Sequence, residues 1–369
     1  MSTLGRLSSI WDNVKEIELR PIAAEALQPV SIAIVGQAGS GRHTLAGQMR
    51  TDPQRPAIVV QSPLLISDLD HAPSAAPAQL TILMLDINQV DTSAELALAR
   101  HWVDAGKKIL VFFNKLDQLG SRPLPGQDTR WAGMPVFHGS ATNAQFLQRE
   151  FVPLMLRLLP DQHLSLGRQF PLFRLTIARA LIQESSLSNA AYAFSTGLAE
   201  TIPVLDIPLN LADIFVLTKA QAFLVYRLGL LLGFTTRWQD YVTEFGSVIG
   251  TGFLWRQIAR QMVGLIPVWG IAPKIAVSYS GTYVVGHTVL QWYLTGRHIG
   301  RAQINALYRK AFTGGRETAA RLMSRLPRVR LLKRPPKALS PPVKLTTCAH
   351  CGKPNAADAQ FCQYCGQNL

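Results

Sequence analysis

The chain begins with short, almost wholly apolar runs set between mixed segments. Val30 to Val35, Ala57 to Val60, Leu80 to Leu85, Ile109 to Phe113 and Pro135 to His138 read as strands, and the runs at 80–85 and 109–113 carry no charge. Strands buried on both faces lose the alternation of half-buried ones, so these runs predict a parallel sheet covered by helices. A helix from Thr92 to Ala105, between two of them, fits that α/β order. Sheets of this kind bind ligands at the carboxyl ends of their strands.

From about 161 to 300 the pattern turns to apolar helices. Ile275 to Leu294 is 20 residues without Asp, Glu, Lys or Arg, and Ser278, Thr282 and Gly286 recur four apart. At about 1.5 Å per residue it reaches about 30 Å, a hydrocarbon thickness, and small residues at that spacing let helices approach closely. With Met262 to Ala272, broken at Pro267 and Gly270, it predicts a hairpin over 262–294. Two readings stay open, a membrane hairpin and a buried bundle, because Ser278, Thr282, His287 and Gln291 make the span polar. Ile202 to Leu217 and Gln221 to Phe234 contain Asp206, Asp213 and Arg227 and suit buried or interfacial helices. In residues 1–28, Leu4, Leu7, Trp11 and Val14 at helical spacing predict a short amphipathic helix packed on the α/β domain. Asp12, Lys15, Glu16 and Glu18 interrupt any signal-peptide core.

Charge changes the picture towards the C-terminus. The net charge is +14, and between Arg297 and Lys344 thirteen Arg and Lys residues face one acid, Glu317. Prolines 327, 335, 336, 341 and 342 make residues 301–346 read as a basic, partly Pro-rich tether. It suits an anionic lipid surface or nucleic acid, although Tyr308 and Phe312 are its only aromatics, which argues against single-strand stacking.

All four cysteines follow: Cys348-x-x-Cys351, ten intervening residues, then Cys362-x-x-Cys365, with Gly352 and Gly366 directly after each pair. Two such knuckles bring four thiolates to a tetrahedral zinc site. The alternative is a pair of disulfides, but nothing in the sequence suggests secretion. His350 reads as an exposed neighbour, since four cysteines already close the site. Residues 347–369 resemble the zinc ribbons that end many bacterial membrane and regulatory proteins, above all in Phe361-Cys362-Gln363-Tyr364-Cys365-Gly366.

The sheet carries its own candidate chemistry. Asn114-Lys115-Leu116-Asp117 follows the strand at 109–113. A carboxylate at Asp117 can accept from the ring N–H and exocyclic amine of guanine, whereas adenine leaves it unpaired. Asn114 would tie this loop to a phosphate loop, and the stem of Lys115 would cover the base. Upstream, Gly36-Gln37-Ala38-Gly39-Ser40-Gly41-Arg42-His43-Thr44 joins the first strand to a helix. Glycines there let backbone N–H groups and the helix N-terminus converge on phosphate. Arg42 stands where the pattern has lysine, and His43 where it has a magnesium-ligating hydroxyl. A guanidinium still grips phosphate, but imidazole is a poor ligand for a hard cation.

Residues 29–160 therefore resemble an Era/TrmE-type GTPase domain, with Ser140-Ala141 matching its second guanine-contacting loop. The region from about 180 to 300, within a helical segment taken as 161–300, resembles a helical domain that follows such GTPases in bacteria and occurs in YcjF-type inner-membrane proteins. It is carried by Ile202-Pro203 with Asp206, Lys219-Ala220-Gln221, Leu265-Ile266-Pro267 with Gly270, and Thr282 to Leu294. The resemblance implies an α/β P-loop domain that binds GTP or GDP. Phosphates would lie on Gly36, Gly39, Ser40, Gly41, Arg42, His43 and Thr44, and guanine on Asn114, Lys115, Asp117, Ser140 and Ala141. Where the family has Asp-Thr-Pro-Gly, this chain reads Gln61-Ser62-Pro63-Leu64, losing a carboxylate near magnesium and a γ-phosphate-binding glycine. Only 16 residues separate Thr44 from Gln61, too few for an ordinary first switch loop.

The expectation is a guanine-nucleotide switch or scaffold with weak magnesium retention and at best slow GTP hydrolysis. It would sit on the cytoplasmic face of a bacterial membrane with an unidentified protein partner, the basic cluster from Arg297 setting that orientation. The alternatives are a cytoplasmic protein, an active GTPase with magnesium held by Thr44 or a partner group, and a nucleic-acid binder using tether and ribbon.

Overall fold

The structure is a computed structural model of the whole chain and describes residues 19–69, 78–125, 129–199, 209–241, 271–297, 299–324, 345–356 and 360–368. Residues Met1–Met323 form one compact unit and Ser324–Leu369 a second. In chain order the first holds α1 (19–27), β1 (Ile32–Gly36), α2 (Arg42–Arg50), β2 (Thr51–Asp52), β3 (Arg55–Val59), β4 (Leu65–Ser67), β5 (Leu80–Asp86), α3 (Ser93–Asp104), β6 (Ile109–Asn114) and β7 (Val136–His138). Helices follow: α4 (Ala144–Phe146), a π turn at Leu147–Phe151, α5 (Val152–Leu158), α6 (His163–Gln169), α7 (Pro171–Ala199), α8 (Leu209–Leu231), α9 (Ile271–Thr295) and α10 (Arg301–Ser324).

The main sheet runs β4-β1-β5-β6-β7, with every pairing parallel. Period-two alternation sends Ile32, Ile34, Leu110 and Phe112 into one core and Ala33, Val35, Val111 and Phe113 into the other. Leu96, Ala99 and Trp102 of α3 close the second core. The first continues without a break into the helices, through Met49 of α2, Phe151, Phe173 of α7, Leu231 of α8 and Tyr293 of α9. Leu19, Ile22 and Ala26 of α1 join it, while Leu4, Leu7, Trp11 and Val14 lie outside the described residues.

One strand expectation needs correction. The segment predicted as a strand at Ala57 to Val60 falls mostly in β3, which pairs antiparallel with β2 and stands apart from the main sheet. The strand beside β1 is instead β4, in register Ala33↔Leu65 and Val35↔Ser67. Gln61 to Leu64 therefore precede β4 and lie at the amino ends of the parallel strands, away from the loop at Gly36. Ser62 is buried there, its hydroxyl bonded to the Gln169 carbonyl of α6. This segment cannot face phosphate.

The uncharged segment at 275–294 is most of α9, whose Ser278, Thr282 and Gly286 are turned inward on the bundle. The Asn189 amide of α7 donates to the Thr282 hydroxyl at 2.7 Å, and the Ser278 hydroxyl donates to the Asn189 carbonyl at 2.9 Å. A Cβ on Gly286 would come within 2.7 Å of Ile182 of α7, so this glycine is what lets the two helices approach. Two of the four polar groups that made the span ambiguous, Ser278 and Thr282, are thus satisfied between helices. Among the described residues no helix is long and apolar enough to cross a membrane, which corrects the transmembrane reading of this segment; its first arm, 262–270, lies outside them. The basic segment is helical over Arg301–Ser324 rather than tether throughout, because its first proline is Pro327 and small residues Ala311, Gly315 and Ala319 give it a face to bury. Residues 325–344 lie outside the description.

Candidate functional site

The Gly-rich loop leaves the carboxyl end of β1 and enters α2. Gly39 and Gly41 adopt positive φ of 79° and 99°, and a Cβ on Gly41 would fall 2.1 Å from the Asn114 amide nitrogen. Both the turn and the approach thus demand glycine at 41. With glycine at its N-cap and no acid in its first turn, α2 begins with open amides and an uncompensated positive end.

Asn114 closes β6 and is almost wholly buried. Its amide donates to the Ser40 carbonyl at 2.7 Å, and its carbonyl accepts from the Ala141 amide at 2.8 Å. One side chain thereby ties together the loops after β1, β6 and β7. Lys115 takes the left-handed conformation, φ 67°, and its ammonium meets Asp86 at 2.6 Å. Burial raises the Asp86 carboxyl, but the Lys115 ammonium and the Asn88 amide outweigh it and hold the group below its usual value. Asp117 lies on the following turn, exposed and, among the described residues, without a bonded partner. The Ser140 hydroxyl meets that of Thr142 at 2.8 Å, and Ala141 is buried under the Asn114 bridge.

Two residues of this region escaped the sequence reading. Asp68, the first residue beyond β4, is ion-paired to the buried Arg42 guanidinium. Glu95, buried in the first turn of α3, accepts from the side-chain amides of Gln37 and Gln89, each at 2.7 Å, and so braces the Gly-rich loop. Its first-turn position, beside a helix N-terminus, was the available signal. His43 and Thr44 are exposed on α2.

The second unit is built on two knuckles of the same form. Gly352 N–H donates to the Cys348 carbonyl at 2.9 Å and Gly366 N–H to the Cys362 carbonyl at 2.8 Å, with both glycines at positive φ, 73° and 71°. A hairpin of β8 (Leu345–Thr347) and β9 (Pro354–Ala356) carries the first. The four sulfurs lie within 4.8 Å of one another, with Cys348 to Cys365 at 3.7 Å and Cys351 to Cys362 at 3.5 Å. Zinc–sulfur bonds of about 2.3 Å in a tetrahedron need edges of about 3.8 Å, and a disulfide needs about 2.0 Å. The donor set fits zinc. Residues 347–369 match the zinc-ribbon domain family. No curated protein matches the chain.

Desolvation raises the Cys362 thiol, but the amides of Tyr364 and Cys365 and the neighbouring sulfurs override it and bring the group to about 6. That favours thiolate at Cys362, the form a metal needs; at Cys365 the Gln367 amide lowers the thiol but burial and the neighbouring sulfurs win and push it up to about 12. Asn355, buried beside the knuckles, donates to Cys362 Sγ at 3.5 Å and to the Lys353 carbonyl at 2.9 Å, and accepts from the Gln363 amide at 3.0 Å. His350 is exposed and outside the sulfur cluster. Because Asn355 orients a ligand from behind, Asn355→Ala should weaken zinc binding by roughly 10–100-fold while leaving its stoichiometry at one. Competition with a chromogenic chelator measures this, and unchanged affinity would deny Asn355 that role.

Proposed function

We propose that the protein is a guanine-nucleotide-binding switch or scaffold whose hydrolytic chemistry is very slow or absent. The observation that carries the reading is the Asn114 bridge, which joins the Gly-rich loop, the loop holding Asp117 and the loop at Ser140-Ala141, at the carboxyl ends of three parallel strands of one sheet, β1, β6 and β7. Phosphates would rest on the Gly36 to Thr44 loop and the open first turn of α2. Guanine would be read by the free carboxylate of Asp117, with the Lys115 stem against its face.

Calorimetry with GDP and ADP tests the proposal, with GDP expected to bind and ADP not. Asp117→Asn exchanges an acceptor for a donor on the base edge and should move preference from GDP to xanthosine diphosphate. Absence of GDP binding, or equal binding of ADP, would remove the guanine reading.

The zinc ribbon and the +12 excess of the segment from Arg297 to Lys344 favour a second reading, nucleic-acid binding. Its mark is a steep fall in affinity for RNA or DNA with salt. Membrane association, in turn, is proposed as peripheral contact with anionic lipid through the exposed Arg309, Lys310 and Arg316 of α10.

A further inference from the structure

P-loop sites of the kind this chain resembles carry magnesium beside the phosphates, and the residues present do not fit that ion. Magnesium demands near-octahedral oxygen ligands at about 2.0–2.1 Å. The position after Arg42 offers the imidazole of His43, and that side chain is exposed. Ser40 has a buried hydroxyl without a hydrogen-bond partner among the described residues, but a Cβ on Gly36 would lie 2.8 Å from it, so it is folded back over its own loop. Asp68 offers the carboxylate at the end of β4, where Ser67 pairs in register with Val35 and Asp68 comes level with the start of the loop. That carboxylate is already held by the Arg42 guanidinium.

The pair is asymmetric in exposure. The Arg42 side chain is 8% exposed and that of Asp68 54%, so the cation is fixed within the loop and the carboxylate covers it from the solvent side. The guanidinium N–H that meets the Asp68 carboxylate could equally donate to a phosphate oxygen. Asp68 thus occupies Arg42 as an anionic ligand would.

We infer that the Arg42–Asp68 pair takes the place of the divalent cation, so that this site binds guanine nucleotide without magnesium and favours the diphosphate over the triphosphate. The inference rests on the guanine-binding reading above. Its preference follows from charge. A lysine, a magnesium ion and a carboxylate together leave a strongly positive cradle, whereas Arg42 and Asp68 cancel. The terminal phosphate of a triphosphate adds negative charge that nothing in this set neutralises, and it approaches a guanidinium already carrying a carboxylate.

The test is calorimetry of full-length, zinc-loaded protein with GDP and GTP, adding magnesium to metal-free buffer. A chelator is avoided because it would strip the ribbon. Magnesium should change GDP affinity by less than about twofold, and GDP should bind more tightly than GTP. Asp68→Asn, at a half-exposed position that tolerates substitution, should improve GTP binding relative to GDP by roughly fivefold, the scale of one exposed charge pair. Strengthening of GDP or GTP binding by magnesium of about tenfold or more overturns the inference and leaves the guanine reading intact. Loss of GTP binding in Asp68→Asn also overturns it, since Asp68 would then be a ligand rather than a cover. Failure to bind GDP under either condition removes both.

Discussion

Cys362→Ser in the full-length protein is expected to abolish stoichiometric zinc and to unfold residues 345–368 in the same step. Among its described residues the ribbon has two short strands, and so small a segment cannot bury enough apolar surface to offset its chain entropy. Zinc in such sites contributes about 10–16 kcal/mol, so metal binding and folding are one event. Cys362 is the ligand whose loss removes most, because it is buried and anchors both the second knuckle and the Asn355 network. Residues 19–323 have separate cores and should keep their resistance to protease. Metal analysis and limited proteolysis of parent and variant under reducing conditions report both halves. One zinc per chain retained by the variant, or no zinc in the parent, would refute the tetrathiolate site.

The ribbon was legible in the sequence because its chemistry is local. Cys-x-x-Cys-Gly fixes a knuckle within five residues, and the left-handed Gly352 and Gly366 are the reason each pair is followed by glycine. The buried central strands β1, β5 and β6 were legible for a related reason, since only strands covered on both faces can be apolar throughout. What the sequence hid were elements defined by partners distant in the chain. β4 is three residues long and half exposed, so its apolar signal is weaker than that of Ala57 to Val60, which forms an outlying hairpin instead. The misplaced strand carried a misplaced loop with it, so the carboxylate just beyond β4, Asp68, was overlooked. Likewise the 20 uncharged residues of α9 suggested a span, although the helix is not apolar enough to cross a membrane, and its contacts with α7 show Ser278 and Thr282 paired inside a bundle. Asn114 was assigned a tie to the Gly-rich loop from the motif alone, and its amide bonds the Ser40 carbonyl there, whereas its second bond, from Ala141, had no signal in the sequence.

Asn114→Ala is expected to lower the melting temperature of the first unit by roughly 5–15 °C and to reduce GDP affinity by at least about a hundredfold. The substitution deletes two hydrogen bonds and leaves the Ser40 carbonyl and the Ala141 amide without partners. Each orphaned buried group costs about 1–3 kcal/mol, a larger loss than the net value of a bond removed together with both partners. The three loops would then no longer hold a common geometry, so affinity falls even though Asn114 need not touch the base. Asp117→Ala separates binding from stability. That side chain is exposed and, among the described residues, unpaired, so its loss should leave stability within about 0.5 kcal/mol while taking away the preference for guanine over adenine nucleotides. Thermal melts and calorimetry on both variants give the contrast. If Asn114→Ala melts with the parent, the bridge does not hold the loops. If Asp117→Ala binds GDP as the parent does, the carboxylate is not reading guanine and the site serves another ligand.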